Sequence, residues 1–507
     1  MQTLTRRDLL KLLALLPSVT LHDPISRQFS LAQHGDGPRP NILILVFDAF
    51  SAHHVPLYGY RRPTTPNLLR FADRATVFHS HYSAGSFTTS GTASLLTGTY
   101  PWSHRAVNLQ STVLDEFRDR NIFKLLGNEG YYRLAYTHNL LASSFLNQFR
   151  SAIDDVPPIK DLCLQDFYVS QWMFKKDFTP ATHAEGFLRG RGETSGSLFL
   201  YAPYRFWVSH RERRLNRQYQ DRFPRGLPGI EDRVFLLEDA VDWTMLKLRA
   251  MPRPFLAYLH FLPPHDPYHA RKDCVGRFAD GWAPAPKPAH PLSDGVSEAD
   301  LINYRREYDE HIAYADAEFG RLFDFMKANG ILDTTYVIVT SDHGELFERG
   351  IWEHLTPCLF EPLIRIPLLI SIPGQAVRRD VHAHTSAVDL LPTLLQVAGI
   401  ERPEWCEGQV LPSVGDHPAE AERAVYCVDA KGSSKFGPLT KRTVSVIRGD
   451  YKLVHYLGHT GYDDVYEMYD LSQDPQELTN IYSSRSDVAS DLQTLLNEKS
   501  VKLNAKV

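Results

Sequence analysis

The chain has 507 residues, and its 43% hydrophobic and 23% charged residues exclude a disordered or fibrous protein. Its 55 Lys and Arg side chains are balanced by 60 Asp and Glu, and the net charge of -5 argues against a protein that binds nucleic acid through bulk positive charge. The five cysteines are scattered and form no CxxC pair, which excludes a disulfide scaffold and a cysteine-rich zinc site.

The first predicted element is an export signal within residues 1–35. The pair Arg6 and Arg7 precedes a short apolar run at 12–16, which has the form of a twin-arginine signal peptide. A basic amphipathic helix is the alternative. No run of about 18 apolar residues occurs, so no transmembrane helix is predicted. We therefore expect an exported protein, periplasmic or extracellular.

Alternating strands and helices are predicted for the segment that follows. Helical spacing of apolar and aromatic residues from Tyr304 to Met326 predicts a long amphipathic helix, and the apolar run 390–398 before Gly399 predicts a second one. Because continuous apolar runs indicate strands buried on both faces, we predict an α/β fold with a largely parallel central sheet flanked by helices. Four such runs occur, at residues 41–47, 255–261, 336–340 and 366–372.

The pattern changes after about residue 404. Strands are predicted within 444–454 and at 465–469, and a last amphipathic helix at 488–496. We therefore predict a catalytic domain over 38–403 and a smaller C-terminal α+β subdomain over 404–507. Within the larger domain, residues 205–226 contain seven Arg against two acidic residues, which indicates either a basic loop near an anionic substrate or a solvated helix face.

Polar residues with catalytic chemistry follow the predicted strands. Asp48 ends the first strand, His265 follows the second, and Asp342 and His343 end the third. Ligands of parallel α/β sheets bind at the carboxyl ends of strands, so these side chains are expected to meet. The segment 86–98 (SFTTSGTASLLTG) adds hydroxyl groups at a helix start, where a hydroxyl can be a cap or a nucleophile.

The ordered set of motifs resembles the sulfatase family of the alkaline phosphatase superfamily. The resemblance covers most of residues 40–480, and the set is far more specific than any single piece. It consists of Asp48 and the segments 65–68 (TPNL), 94–101 (SLLTGTYP), 264–268 (PHDPY), 313–316 (AYAD), 341–344 (SDHG), 360–367 (FEPLIRIP), 388–394 (VDLLPTL), 451–453 (YKL) and 469–471 (YDL).

One departure from the family pattern bears on the nucleophile. Sulfatases carry Cys-x-Pro-x-Arg before Leu-Leu-Thr-Gly, and the Cys is oxidised to formylglycine, whereas here Thr88, Ser90 and Thr92 occupy those three slots. The resemblance therefore implies the threonine-nucleophile branch, which includes phosphodiesterases and phospho-group transferases. A threonyl ester cannot collapse to an aldehyde and must be released by a second attack, which suits phosphate better than sulfate.

A second departure bears on the metal. The resemblance assigns one divalent cation to Asp48, Asp342 and His343, with Thr88 bridging, and such a cation would lower the pKa of the hydroxyl. Ala49 replaces the family's second Asp and His343 replaces its Asn, which favours manganese or zinc, with calcium possible. A second metal on Asp266 and His269 fits the spacing poorly, so one ion is predicted.

Further histidines have implied roles. His265 matches the family histidine that donates a proton to the leaving oxygen or contacts the anion. His354 lies near the position of a family Lys or His that binds the anion. Tyr136 and His138 match a Lys-x-His segment loosely, with core packing of Tyr136 as the alternative, and His260 is expected to be a hydrogen-bonded core histidine.

Together these features predict a metal-dependent hydrolase or transferase of phosphate or sulfate esters that uses Thr88. Phosphodiesters or phosphomonoesters are favoured, and the substrate is expected to be a small anionic ester or a glycan- or lipid-linked one rather than a nucleic acid. A sulfatase that works without formylglycine is one alternative. A non-catalytic relative that binds anionic glycans is the other.

Overall fold

The computed structural model describes residues 39–109, 111–158, 161–164, 198–230, 233–412, 414 and 423–506. The predicted export signal lies outside these residues and stays a prediction. Among the described residues, no helix combines the length and the apolar character that crossing a bilayer requires. The strands are β1 (Asn41–Phe47), β2 (Thr76–Tyr82), β3 (Tyr132–Thr137), β4 (Gly229–Ile230), β5 (Arg233–Val234), β6 (Phe255–Phe261), β7 (Thr335–Thr340), β8 (Phe347–Glu348), β9 (Ile351–Trp352), β10 (Leu368–Ser371), β11 (Arg379–Ser386), β12 (Val425–Asp429), β13 (Arg442–Arg448), β14 (Tyr451–Leu457) and β15 (Val465–Asp470).

Helices separate these strands and cover the sheets. Single 3-10 turns occur at Ala52–His54, Pro56–Tyr58, Asp115–Phe117, Arg150–Ala152, Ile331–Asp333 and Ala387–Asp389. The α-helices are α1 (Pro66–Ala72), α2 (Thr88–Thr97), α3 (Pro101–His104), α4 (Ile122–Asn128), α5 (Leu140–Gln148), α6 (Leu198–Tyr219), α7 (Leu237–Ala250), α8 (Glu298–Ala328), α9 (Glu361–Ile364), α10 (Leu390–Val397), α11 (Ser486–Glu498) and α12 (Ser500–Asn504).

The central sheet has seven strands in the order β11-β2-β10-β7-β1-β6-β3. β10 pairs antiparallel with both of its neighbours, and the other six strands share one direction. The predicted α/β fold with a largely parallel sheet and a smaller C-terminal subdomain is confirmed. The four predicted apolar runs correspond to β1, β6, β7 and β10.

Helix layers on both faces explain why the central strands are apolar at every position. In β1, Leu43 and Leu45 pack into one core with α7 and α8, while Ile42 and Ile44 pack into another with α2, α5 and α10. A strand covered on both sides has no solvent face, so its sequence does not alternate. The predicted helix within 304–326 is the central part of α8, which runs over Glu298–Ala328.

The strand order brings the site residues to one edge of the sheet. β7, β1, β6 and β3 are consecutive neighbours and run in parallel, so the segments that follow their carboxyl ends lie side by side. The Asp48 backbone N–H extends the pairing, since it donates to the Phe261 carbonyl at 3.0 Å.

The C-terminal subdomain is an antiparallel sheet in the order β12-β13-β14-β15, covered by α11. It docks directly beside the segment that leads into α2, because the Val428 N–H donates to the Ala84 carbonyl at 3.0 Å. The Arg-rich stretch 205–226 begins within α6, where Arg213 and Arg214 are exposed, as expected for a solvated helix face.

A buried cation joins the two parts of the molecule. Lys452 Nζ on β14 lies 2.8 Å from Glu477 Oε1 and 3.3 Å from Glu361 Oε1, and all three side chains are buried. Burial opposes protonation, but the charges of Glu477 and Glu361 raise the pKa of Lys452. The amine is therefore charged, and it compensates two carboxylates that water cannot reach.

Replacing this amine tests how strongly the subdomain contact depends on it. Lys452→Met leaves both carboxylates uncompensated and is expected to lower the free energy of unfolding by about 3–5 kcal/mol. The matched control Lys502→Met removes a half-exposed amine beside Glu407 and is expected to cost about 1 kcal/mol or less. Urea unfolding of both variants measures the difference, and equal losses would contradict the buried-charge account.

Candidate active site

Two carboxylates and one imidazole form a buried cluster at the carboxyl edge of the central sheet. One ligand atom each of Asp48, Asp342 and His343 can be chosen so that all three lie within 4.8 Å of one another. Asp48 Oδ1 and Asp342 Oδ2 are buried without a hydrogen-bond partner among the described residues. Buried carboxylate oxygens are normally satisfied, so this arrangement fits a bound cation.

The charges in the cluster act on each other strongly. Burial opposes ionisation of Asp48, but His265, His260 and His343 hold its pKa well below the usual value. Burial and the neighbouring charge of Asp48 raise the pKa of Asp342. Two carboxylates this close ionise together only when positive charge compensates both of them.

The turn after β1 aims the backbone at this cluster. Ala49 has the left-handed φ of 56°, which costs a residue with a Cβ about 1 kcal/mol or more. In that conformation its N–H donates to Asp342 Oδ1 at 3.3 Å, and its carbonyl accepts from the Tyr308 hydroxyl at 2.6 Å. These contacts hold the strained turn in place.

The predicted nucleophile faces the cluster. Thr88 is the first residue of α2, and its Oγ1 lies 3.3 Å from His343 Nε2. The first amides of a helix have no acceptor within it and can bind an anion. Gly91 permits this placement, because a Cβ there would lie 2.2 Å from the Asp342 carbonyl oxygen.

His265 and His354 lie on the same side of the cluster. The centroid of the His354 ring lies 4.4 Å from that of the His343 ring and 4.8 Å from that of the His265 ring. Each ring is oriented through Nδ1, to Asp266 Oδ1 at 2.8 Å for His265 and to Glu345 Oε1 at 3.0 Å for His354. In both rings this leaves Nε2 available for another contact.

The environments of these two histidines differ. Burial opposes protonation of His265, but the charges of Asp266 and Asp48 raise its pKa well above the usual value. Burial and the neighbouring His343 and His265 lower the pKa of His354 well below it. At neutral pH the pair thus presents one imidazolium, which can give a proton, and one neutral imidazole.

The family is established by comparison with known proteins. Residues 40–400 match the model of the sulfatase family, which is more than half of the chain. The chain belongs to the sulfatase family. Residues 350–506 also match the model of the C-terminal region of N-sulphoglucosamine sulphohydrolase. This sulfatase-family protein is therefore an ester hydrolase.

Individual relatives are distant but similar along most of their length. A choline-sulfatase of Rhizobium meliloti (strain 1021) is 25% identical over 485 residues, covering 87% of this chain and 82% of the relative. Among solved structures, a phosphonate monoester hydrolase of Agrobacterium radiobacter superposes with a TM-score of 0.67 at 19% identity, covering 92% of this chain and 97% of that one. Another, solved with its substrate D-glucosamine-2-N,6-O-disulfate, has a TM-score of 0.65 at 18% identity and covers 92% and 98%.

Asn139 is a residue of the candidate site that the sequence analysis missed. Its Nδ2 donates to Asp48 Oδ2 at 2.5 Å and lies 3.3 Å from Thr88 Oγ1, while its Oδ1 caps the first turn of α5. It lies two residues after β3, so a polar residue near a strand end was the available signal. The mixed sequence of β3 (YRLAYT) concealed the strand itself.

His260 is hydrogen-bonded, as expected, but it is also part of the site. Its Nδ1 meets the Tyr258 hydroxyl at 3.0 Å, and its Nε2 lies 3.1 Å from Asp48 Oδ2 and 3.6 Å from Asp342 Oδ2. The side chain therefore orients Asp48 from inside the sheet. Its position at the end of β6 sets it beside the strand that carries Asp48.

The other candidate side chains are packed away from the cluster. Tyr136 lies in the core, and the His138 ring stacks on Phe235 with a centroid distance of 3.7 Å. Asp266 orients His265, and His269 Nδ1 meets the Leu227 carbonyl at 2.9 Å. Among the described residues, neither Asp266 nor His269 belongs to a group of three metal-ligating side chains.

Lys431 is a further missed residue, contributed by the C-terminal subdomain. Its Nζ lies 2.5 Å from Asp429 Oδ2 and 3.2 Å from the carbonyls of both His354 and Thr356. It also lies over the Phe87 ring, 4.6 Å from the centroid, directly before Thr88. One ammonium group thus holds the backbone of His354 and the start of α2 in place together.

The effect of Lys431 on turnover can be measured separately from folding. Lys431→Met releases the two segments from each other, and we expect kcat to fall roughly tenfold to a hundredfold, as small misplacements of reacting groups do. The control Lys441→Met alters an exposed lysine nearby and is expected to leave kcat unchanged. Metal content should stay the same in both, and an unchanged kcat in Lys431→Met would remove the positioning role.

Proposed function

We propose that this protein cleaves phosphate esters, as a diesterase or monoesterase or as a transferase, through a Thr88 nucleophile and one divalent cation. The observation that supports this most strongly is the position of Thr88 Oγ1. Thr88 is the first residue of a helix, and its Oγ1 lies 3.3 Å from His343 Nε2. In the same cluster, Asp48 and Asp342 each have one buried oxygen without a hydrogen-bond partner among the described residues.

The donor set suits a small divalent cation. Asp48, Asp342 and His343 offer two oxygens and one nitrogen, with the Thr88 hydroxyl as a fourth donor. This mixed set favours manganese or zinc over calcium, which prefers six or more oxygens. Such a cation would neutralise the buried carboxylates, lower the pKa of the Thr88 hydroxyl and stabilise the charge of the transferring group.

The surroundings of Thr88 favour its ionised form. Asn139 Nδ2 points a donor at Oγ1 from 3.3 Å, and a donor stabilises an alkoxide more than an alcohol. Among the described residues, His343 is the only other side chain within hydrogen-bond distance of this oxygen. If His343 Nε2 holds the cation, it cannot accept the hydroxyl proton, which would then leave to solvent before the attack.

The first chemical step would be an in-line displacement. Thr88 Oγ1 forms a bond to phosphorus while the bond from phosphorus to the leaving oxygen breaks. His265 is the candidate acid, because its raised pKa keeps it protonated, and it would give its proton to the leaving oxygen. The product of this step is a phosphothreonine and a free alcohol.

The second step returns the enzyme to its starting state. A water oxygen bonds to phosphorus as the bond to Thr88 Oγ1 breaks, and the now neutral His265 takes one proton from that water. Thr88 regains its own proton from solvent. An alcohol in place of water would make the same site a transferase.

A sulfatase that works without formylglycine is the second candidate. It is favoured by the family itself and by relatives such as the choline-sulfatase. Against it stands the chemistry of release, because a threonyl sulfate cannot expel sulfate by collapsing to an aldehyde. Thr88 occupies the position of the cysteine that sulfatases oxidise to formylglycine, and no cysteine occurs anywhere in 86–98.

Removing the nucleophile tests the central proposal. Thr88→Ala is expected to abolish turnover of an aryl phosphodiester, while bound metal stays nearly unchanged because the carboxylates dominate its affinity. Thr89→Ala is the matched control, since the Thr89 hydroxyl donates to the Leu109 carbonyl instead. Near-full activity of Thr88→Ala would exclude the mechanism. Faster turnover of an aryl sulfate than of the diester by the wild-type protein would favour the sulfatase candidate.

Removing a metal ligand tests the cation. Asp342→Asn takes one of the two negative charges from the cluster, so bound manganese or zinc and kcat should fall together, each at least tenfold. Asp324→Asn is the control, because it alters an exposed carboxylate paired with Arg70 on the surface. Elemental analysis that finds full metal occupancy in Asp342→Asn would contradict the ligand assignment.

A further inference from the structure

A polar cavity lies apart from the Thr88 site. It encloses about 350 Å³ between the segment after β1, the β8–β9 hairpin and the start of α8. None of the six predicted site residues lines it. Its walls nevertheless come from the same segments that follow β1 and β7. His53 lies five residues after Asp48, and Phe347 lies five residues after Asp342. Five residues of fully extended chain span at most about 18 Å.

The walls of this cavity carry an excess of positive charge. Four cationic side chains line it against two carboxylates, Glu298 and Glu348, which leaves a net charge of +2. Glu348 lies 2.9 Å from Lys287 and 4.0 Å from Arg305, so its charge is already shared. The four cations are Arg61, Lys287, Arg305 and Arg365.

Among the residues that the structure describes, two of the cations have no acidic partner. Arg365 donates from Nε and Nη2 to the His79 carbonyl, which satisfies hydrogen bonds but does not neutralise the charge. Arg61 lies over the Trp282 ring, 5.7 Å from its centroid. Within the described ranges neither guanidinium forms an ion pair with a carboxylate. A partly enclosed cavity with such walls attracts an anion.

A half-buried imidazole adds a hydrogen-bonding group. His53 Nε2 is buried and has no hydrogen-bond partner among the described residues. Burial and the nearby Arg365 and Lys287 lower the pKa of His53, so the ring is neutral and can donate from this nitrogen. A ligand that accepts a hydrogen bond would satisfy it.

Aromatic rings line the same space. Tyr58, Tyr60, Trp282 and Phe347 contribute flat apolar surface beside the charged groups. The combination of aromatic faces, hydrogen-bonding groups and a volume of a few hundred Å³ is typical of a small-molecule site. A sugar that carries an acidic group offers apolar ring faces, hydroxyls and a negative charge together.

We infer that this cavity is a binding site for an anionic monosaccharide unit, free or within a longer saccharide. The acidic group would lie among Arg61, Lys287 and Arg365, and the sugar ring would lie against the aromatic side chains. This inference does not rest on the proposed chemistry at Thr88, because it concerns binding at residues outside that cluster.

Calorimetric titration of the metal-loaded full chain with glucuronate tests the inference. Glucuronate is an anionic sugar without an ester, so turnover cannot obscure binding. The double variant Arg61→Gln/Lys287→Gln removes two wall charges and should weaken binding at least tenfold. Arg213→Gln/Arg214→Gln, which removes two exposed charges from α6, should bind like the wild type.

Three results would overturn the inference. Equal affinity in the wild type and both double variants would place the binding elsewhere. Equal affinity for neutral glucose would remove the charge argument, and equal affinity for inorganic sulfate would reduce the site to a simple anion site. The cavity variant should still turn over a small aryl phosphodiester normally, so a failure at Thr88 and a failure of this site can be distinguished.

Discussion

The structure depends on two carboxylates that are buried close together at the carboxyl edge of the central sheet. Asp48 and Asp342 cannot both be ionised there without compensation, because burial removes the water that would stabilise them. His260, His343 and Asn139 surround them with nitrogen atoms, yet one oxygen of each stays without a hydrogen bond. That deficit is what makes the cluster suitable for a cation.

The scaffold holds this unfavourable arrangement by rigid packing on every side. β1, β6 and β7 are buried on both faces, so the strand ends that carry the cluster cannot shift without opening a core. α2 approaches the Asp342 carbonyl through Gly91, which brings Thr88, the first residue of that helix, to the same point. The strained Ala49 turn persists because Tyr308 and Asp342 bind its backbone.

The C-terminal subdomain contributes to the site as well as to stability. Lys452 compensates two buried carboxylates where the subdomain meets the larger sheet. Lys431 reaches further, to the backbone of His354 and the ring before Thr88. The positions of the nucleophile and of an anion-binding candidate are therefore coupled to a part of the chain more than 70 residues away from either. Both contacts are ionic or polar, and neither has a periodic sequence signature.

The amino-acid sequence by itself determined the α/β class, the central strands and helices, and six candidate site residues. Continuous apolar runs mark strands covered on both faces, and a parallel sheet collects their ends at one edge, which pointed to Asp48, His265, Asp342 and His343. The roles of Thr88 and His354 were implied by the resemblance to sulfatases. It did not reveal β2, β3 and β11, whose polar residues lie between apolar ones. Only the tertiary structure decided that Asn139, His260 and Lys431 join the site, that His138 turns into the core, and that scattered cations form a second cavity. These outcomes depend on distances between segments far apart in the chain, which no local pattern encodes.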